Sequence, residues 1–180
     1  MKAGFISADQ WNAAAPLSRA IEIIKKINPT ILAIGSNEAI RLYHVAKAMG
    51  VTFPTQNLRA IIVAGELVSP ARRQYIEQLF GVPVYMLFGS TETGSLSMSC
   101  KEGHFHTTHP KVKFEAVDEQ GQPLGLNEKG ACVVSAGREG MPLLRYYNED
   151  IIELKESNVC SCGNKQPVLI HYGREIECIK

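Results

Sequence analysis

The chain has 180 residues, 45% of them hydrophobic and 21% charged, an ordinary balance for a folded globular protein. Its 19 basic and 18 acidic residues leave a net charge of +1 with no basic stripe, which argues against a nucleic-acid partner. No apolar run nears the roughly 20 residues of a membrane span and no secretory leader is visible, so the expected location is the cytoplasm.

Leu17, Ala20, Ile21, Ile24 and Ile27 recur at helical spacing and predict an amphipathic helix over residues 16–27, which Pro29 ends. The apolar run 30–34 predicts a buried strand. Ser36 is a candidate cap for a helix over 37–49, and Gly50 closes it. A second buried strand is expected over 58–64, stopped by Gly65. Ser69-Pro70 opens a helix reaching about residue 80, with proline at a favoured early position. A third strand is expected over 82–88. This alternation predicts an α/β fold, a parallel sheet covered by helices.

The second half changes character. Gly103, Gly121, Gly125, Gly130, Gly137, Gly140, Gly163 and Gly173 punctuate strand-like pieces over 112–117, 131–135, 143–146, 151–154 and 168–171. That rhythm predicts an antiparallel β-rich region, a small distorted barrel. The five cysteines, an odd number, argue against a disulfide framework. Cys100 with His104 and His106, and later Cys160-Ser161-Cys162-Gly163, offer soft ligands for a closed tetrahedral Zn²⁺ site. The expected set is Cys100, His106, Cys160 and Cys162, with His104 as the competing histidine. Cys132 and Cys178 are expected to be structural, and His44, His109 and His171 show no partner in the sequence.

Ligands of open parallel sheets bind at the carboxyl ends of strands. Two loops qualify. One begins at Gly65-Glu66. The other is Gly89-Ser90-Thr91-Glu92-Thr93-Gly94, where glycines allow close approach to a phosphate and hydroxyls can donate to its oxygens. A carboxylate there repels phosphate unless a cation intervenes, so Glu92 suggests Mg²⁺. Phe88 is positioned to stack on a base.

The segment Phe88-Gly89-Ser90-Thr91-Glu92 resembles the aromatic-Gly-x-Thr-Glu signature of the adenylate-forming acyl-CoA ligase superfamily. Ala64-Gly65-Glu66 resembles its adenine-contacting loop. Pro142-Leu143-Leu144-Arg145-Tyr146-Tyr147-Asn148-Glu149-Asp150 resembles the segment ending in its ribose-binding aspartate, and Gly173-Arg174 with Ile179-Lys180 resembles its hinge. The phenylacetate–CoA ligase branch is the nearest in pattern. The resemblance implies that Gly65 and Glu66 line the adenine, that Phe88 stacks on it, and that Gly89, Ser90 and Thr91 meet the α-phosphate. It implies further that Glu92 holds Mg²⁺, Asp150 takes the ribose hydroxyls and Arg174 steadies the nucleotide. Thr91 and Glu92 are the expected catalytic pair.

The implied reaction activates a small-molecule carboxylic acid with ATP and passes the acyl group to a thiol, with coenzyme A the expected acceptor. The implied organisation is an α/β nucleotide-binding subdomain over 1–98, a β-rich subdomain with the zinc site over 99–172, and over 173–180 a hinge to a C-terminal domain outside these residues. A hydroxyl-rich phosphate loop with a lysine, usual upstream in such ligases, is not visible between Met1 and Pro54. In the hinge, Ile176 stands where an aspartate is usual and Glu177 replaces the next one. These departures lead to the expectation of a fragment, inactive by itself, with a homo-oligomer expected from an exposed sheet edge. The competing expectation is a non-catalytic, zinc-stabilised remnant that binds a nucleotide or a partner.

Overall fold

A computed structural model describes residues 16–107, 111–137 and 139–177. The expectations resting on Cys178, His109, Ile179 and Lys180, and on the absence of a phosphate loop in residues 1–15, lie outside the described residues. A mixed sheet with parallel strands takes the order β1-β2-β3-β4, where β1 is Ile31–Ile34, β2 Ala60–Ala64, β3 Val84–Ser90 and β4 Gly94–Met98. A second, antiparallel sheet has the order β5-β9-β8-β7-β6, where β5 is Phe105–His106, β6 Val112–Val117, β7 Lys129–Ala136, β8 Leu143–Lys155 and β9 Val168–Arg174. The predicted α/β class with a β-rich partner is the fold observed, and the predicted barrel is an open, curled half-barrel.

The chain divides into two compact units. One comprises Met1–Ile62 and Ala71–Val84, the other Val63–Pro70 and Tyr85–Lys180. The long break falls between residues 84 and 85, ahead of the boundary expected at 98. The cause is β4: it pairs antiparallel with β3, Phe88 opposite Ser97 and Ser90 opposite Gly94, and draws most of β3 into the β-rich unit.

In the first unit, helix α1 (Leu17–Ile27) buries Ile21 and Ile24, which lie one turn apart on one face. Asn28 ends it in the left-handed region at φ 50° and donates its N–H to the Ile24 carbonyl, while Lys25 and Lys26 complement the helix dipole. Helix α2 (Ser36–Ala48) buries Ser36, Ala39, Leu42 and Ala46, a mostly small-residue stripe. Gly35 occupies the cap position expected of Ser36, which instead lies fully buried inside the first turn. Ile21, Ile24, Leu42 and Ala46 form one core cluster of this unit. Helix α3 (Pro70–Phe80) contributes Glu77, whose carboxylate accepts the Val84 N–H at 3.0 Å and lies 3.7 Å from Arg73.

In the second unit, Phe88, Leu96, Phe105, Phe114, Ala116, Cys132, Val134, Ala136, Ile152 and Leu169 form a single cluster drawn from every strand from β3 to β9. The two pieces expected over 143–146 and 151–154 are one strand, β8. Arg145 and Glu149 in it take positive φ, 47° and 58°, and its pairing to β7 and β9 slips at three places. Those irregularities bend one long strand where sequence periodicity suggests two. Among the described residues, no helix is long and apolar enough to cross a membrane.

Candidate functional site

The glycine-flanked loop after β3 is the turn of a β-hairpin. Gly89 and Gly94 sit almost against each other: a Cβ on Gly89 would meet the Gly94 carbonyl oxygen at 2.0 Å, so no side chain fits there. Gly94 itself has φ 67°. Thr93, 2% exposed, closes the turn from inside. Its hydroxyl accepts the Ser90 N–H at 2.9 Å and donates toward the Gly94 carbonyl at 3.2 Å, and its N–H donates to Ser90 Oγ at 3.1 Å. Thr91 and Glu92 are left exposed at the tip. A hydrogen bond from its own backbone, one from the Ser90 hydroxyl and the nearby charge of Arg174 hold the Glu92 carboxyl below its usual 4.5. The tip therefore carries a fixed anion.

Phe88 does not offer the face expected for base stacking. Its residue is 5% exposed, and the ring packs against Phe105 at 5.8 Å, Phe114 at 5.9 Å and His171 at 4.7 Å between centroids. Strand alternation turns it into the apolar core, and the hydrophobic effect keeps it there.

Asp150 lies on β8 opposite Arg174 of β9, 5% exposed. Its carboxylate accepts a short hydrogen bond from the Asn148 amide and one from His171 Nε2 at 3.0 Å, and Arg174 Nε is 3.7 Å away. Arg174 also pairs with Glu149 at 2.9 Å; both are exposed, so this pair adds little stability. Arg174 thus stands beside the Asp150 carboxylate, and its charge makes a small contribution to lowering Glu92. It lines an open cleft of about 440 Å³ with Tyr147, Glu149, Glu175 and Ile176. The Tyr147 hydroxyl donates to Glu175 there, a bond that pushes its pKa up to about 12. Gly65, at φ 84°, and Glu66 follow β2 and belong to the same compact unit as the turn, Asp150 and Arg174. Asn148 and His171, the two donors to Asp150, were not singled out by the sequence. Their only signal is position, two residues before Asp150 and three before Arg174.

The cysteine–histidine cluster assembles as expected. The ligand atoms of Cys100, His106, Cys160 and Cys162 all lie within 4.8 Å of one another. Cys100 and Cys160 sulfurs are 3.7 Å apart, and Cys162 Sγ is 3.3 Å from His106 Nε2. A zinc tetrahedron with Zn–S near 2.3 Å has edges of about 3.5–3.8 Å, an edge that the Cys100–Cys160 separation already matches. His106 is 2% exposed, and its Nδ1 lies 3.1 Å from the Gln166 carbonyl. Donation there leaves the Nε2 lone pair facing the sulfurs, the tautomer a metal requires. His104 directs Nδ1 at Cys160 Sγ, 3.3 Å away, but it is His106 that joins the three cysteines in the group whose ligand atoms all lie within 4.8 Å of one another. Burial pushes the Cys160 thiol up to about 11, while the Asn164 N–H donated to its sulfur lowers Cys162. Cys132 is fully buried, its thiol pushed up by desolvation and by Asp150, as befits a structural residue.

The fold is that of the adenylate-forming ligases. A 2-hydroxyisobutyryl-CoA ligase, solved in the postadenylation state with its acyl-AMP, superposes with a TM-score of 0.81 at 18% identity, over 93% of this chain and 38% of that one. An anthranilate CoA ligase holding anthranoyl-AMP superposes with a TM-score of 0.70 at 15% identity, over 91% and 33%. In sequence, the phenylacetate-coenzyme A ligase of Thermus thermophilus is 26% identical over 151 residues, 81% of this chain and 34% of that enzyme. The chain thus spans about a third of the curated ligase it matches. No protein-family model matches it.

Proposed function

We propose that this chain forms the nucleotide-binding core of an ATP-dependent acid–thiol ligase, which makes an acyl-adenylate from a carboxylic acid and then an acyl thioester. The observation that carries the reading is the buried Asp150 carboxylate with Arg174 beside it at 3.7 Å, in the same compact unit as the glycine-flanked, hydroxyl-rich turn. That arrangement suits one ligand with a phosphate at one end and a ribose at the other. The named ligases sharing the fold, two of them holding acyl-adenylates, favour this reading over a non-catalytic remnant.

In this reading Ser90, Thr91 and the backbone of the turn contact the α-phosphate. Asp150 accepts the ribose hydroxyls, Arg174 steadies the nucleotide, and Gly65 and Glu66 border the adenine. An oxygen of the substrate carboxylate attacks the α-phosphorus, and the bond from that phosphorus to the bridging oxygen of pyrophosphate breaks. The thiol sulfur, coenzyme A by analogy with the relatives, then attacks the acyl carbonyl. AMP leaves with the bond electrons, and the thiol proton passes to solvent. Donors fixed before the reaction stabilise the charge developing on the phosphate oxygens without reorganising. Glu92, exposed and held anionic, is a hard oxygen ligand suited to Mg²⁺. That ion, when bound, supplies charge neutralisation beside the phosphate. Zinc on Cys100, His106, Cys160 and Cys162 is structural in this account, because four protein ligands leave no open position.

The test is a calorimetric titration with a sulfamoyl analogue of an acyl-adenylate, benzoylsulfamoyl adenosine. One analogue should bind per chain and be displaced by AMP. Absence of binding by both compounds would remove the proposed activity.

A further inference from the structure

We infer that His171 is a positioning residue for the nucleotide ribose, acting through Asp150; the inference rests on the reading of Asp150 given above. Asp150 and Ile152 point to the same face of β8, and Ile152 is fully buried in the core. The β9 partner of Ile152 is His171, and the partner of Asp150 is Arg174. One residue of β8 lies between those pairs, but two of β9 do, Tyr172 and Gly173. This is a β-bulge, and Gly173 in it takes φ 102°. The bulge brings both His171 and Arg174 to the same carboxylate, which a regular ladder of alternating side chains would not do.

His171 sits between two parts of the proposed site. Its Nε2 is 3.0 Å from Asp150 Oδ1, and its ring lies 4.7 Å from the ring of Phe88, two residues before Ser90. The histidine side chain is 12% exposed and that of Asp150 7%. A half-rotated carboxylate would leave the imidazole N–H without its acceptor in a nearly dry setting, which is costly. Asn148 donates to the other oxygen, Oδ2. With one protein donor on each oxygen, the carboxylate plane is fixed, and each oxygen keeps a lone pair for one ribose hydroxyl. Phe88, buried rather than stacked on a base, becomes the wall against which His171 is held. The packing thereby links the strand that carries the phosphate turn to the carboxylate that takes the sugar.

The experiment compares AMP with 2′,3′-dideoxy-AMP, which has no ribose hydroxyls, by calorimetry on the wild type, His171→Phe and His171→Gln. His171→Phe keeps a ring against Phe88 and removes the donor, while His171→Gln restores an N–H at similar reach. His171→Met serves as a second variant without a donor should the Phe variant fail to fold. The wild type should prefer AMP by about tenfold or more, as expected for hydrogen bonds to a charged acceptor. The Phe or Met variant should lose most of that preference while binding dideoxy-AMP as the wild type does, and the Gln variant should recover it. A donorless variant that keeps the full preference for AMP overturns the role of His171. A wild type that binds both nucleotides equally overturns the ribose reading of Asp150 and this inference with it.

Discussion

Glu92 shows how a turn can set the charge of one side chain. Its carboxyl is held down by its own backbone, by Ser90 and by Arg174, so its pKa in the folded chain lies below the ordinary 4.5. A depressed carboxyl contributes stability above its unfolded value and loses that contribution as pH falls through the folded value. The window for losing the turn's contribution therefore lies below pH 4.5. Titration of the Glu92 side-chain carbonyl by NMR should give a midpoint below 4.5, and Ser90→Ala should move it upward. A wild-type midpoint at or above 4.5 would contradict the hydrogen bonding described. The residue types of this turn were readable in the sequence because glycines and hydroxyls announce it. The roles of Ser90 and Thr93 as internal braces were not, since either hydroxyl satisfies the same composition. The burial of Phe88 was not legible for a related reason. An aromatic residue beside a glycine turn faces the ligand or the core according to strand register, and a shift of one residue exchanges the two. Truncating this buried ring, Phe88→Ala, should cost about 3–5 kcal/mol in a denaturant midpoint experiment. A change below about 1 kcal/mol would place the ring at the surface.

At the scale of elements, the cysteine–histidine cluster brings together two connections of the β-rich unit. Cys100 and His106 bracket the turn between β4 and β5, and Cys160 and Cys162 lie in the connection from β8 to β9. β5 is only two residues long and pairs with β9 through Phe105 and His106, so its ladder alone holds the turn weakly. A metal clip across long sequence separations would compensate. Purified protein should contain one zinc per chain. Chelation should lower its melting temperature, and reloading at neutral pH should release protons as the raised Cys160 thiol ionises. Protein free of zinc whose melting is indifferent to added zinc would dismiss the clip. This site was legible because thiols and imidazoles at turns declare themselves by type. Choosing between His104 and His106 needed coordinates, since they are two residues apart; His106, in β5, is the one grouped with the three cysteines, with the Gln166 carbonyl behind its ring. The bulge between β8 and β9 was not legible. Gly173 hints at it, but the pairing offset arises from two strands together, and no local pattern in either reports it.

For the whole molecule, the order of segments carried more information than any one of them. Gly65-Glu66, the Ser90–Thr91–Glu92 turn, Asp150 and Arg174 are far apart in sequence, yet all belong to one compact unit. Each alone is a common pattern; the fold that joins them is shared with ligases solved with acyl-adenylates. The chain spans about a third of the curated ligase it matches, so the complete reaction is a proposal, while binding of AMP is a property these residues can be asked for directly. Calorimetric titration of AMP into the wild type and into Asp150→Ala is that question. If Asp150 takes the ribose, the wild type binds one AMP per chain and the variant loses about tenfold or more, as for removing a charged acceptor. Equal affinity in the two proteins, or no AMP bound by the wild type, would contradict it.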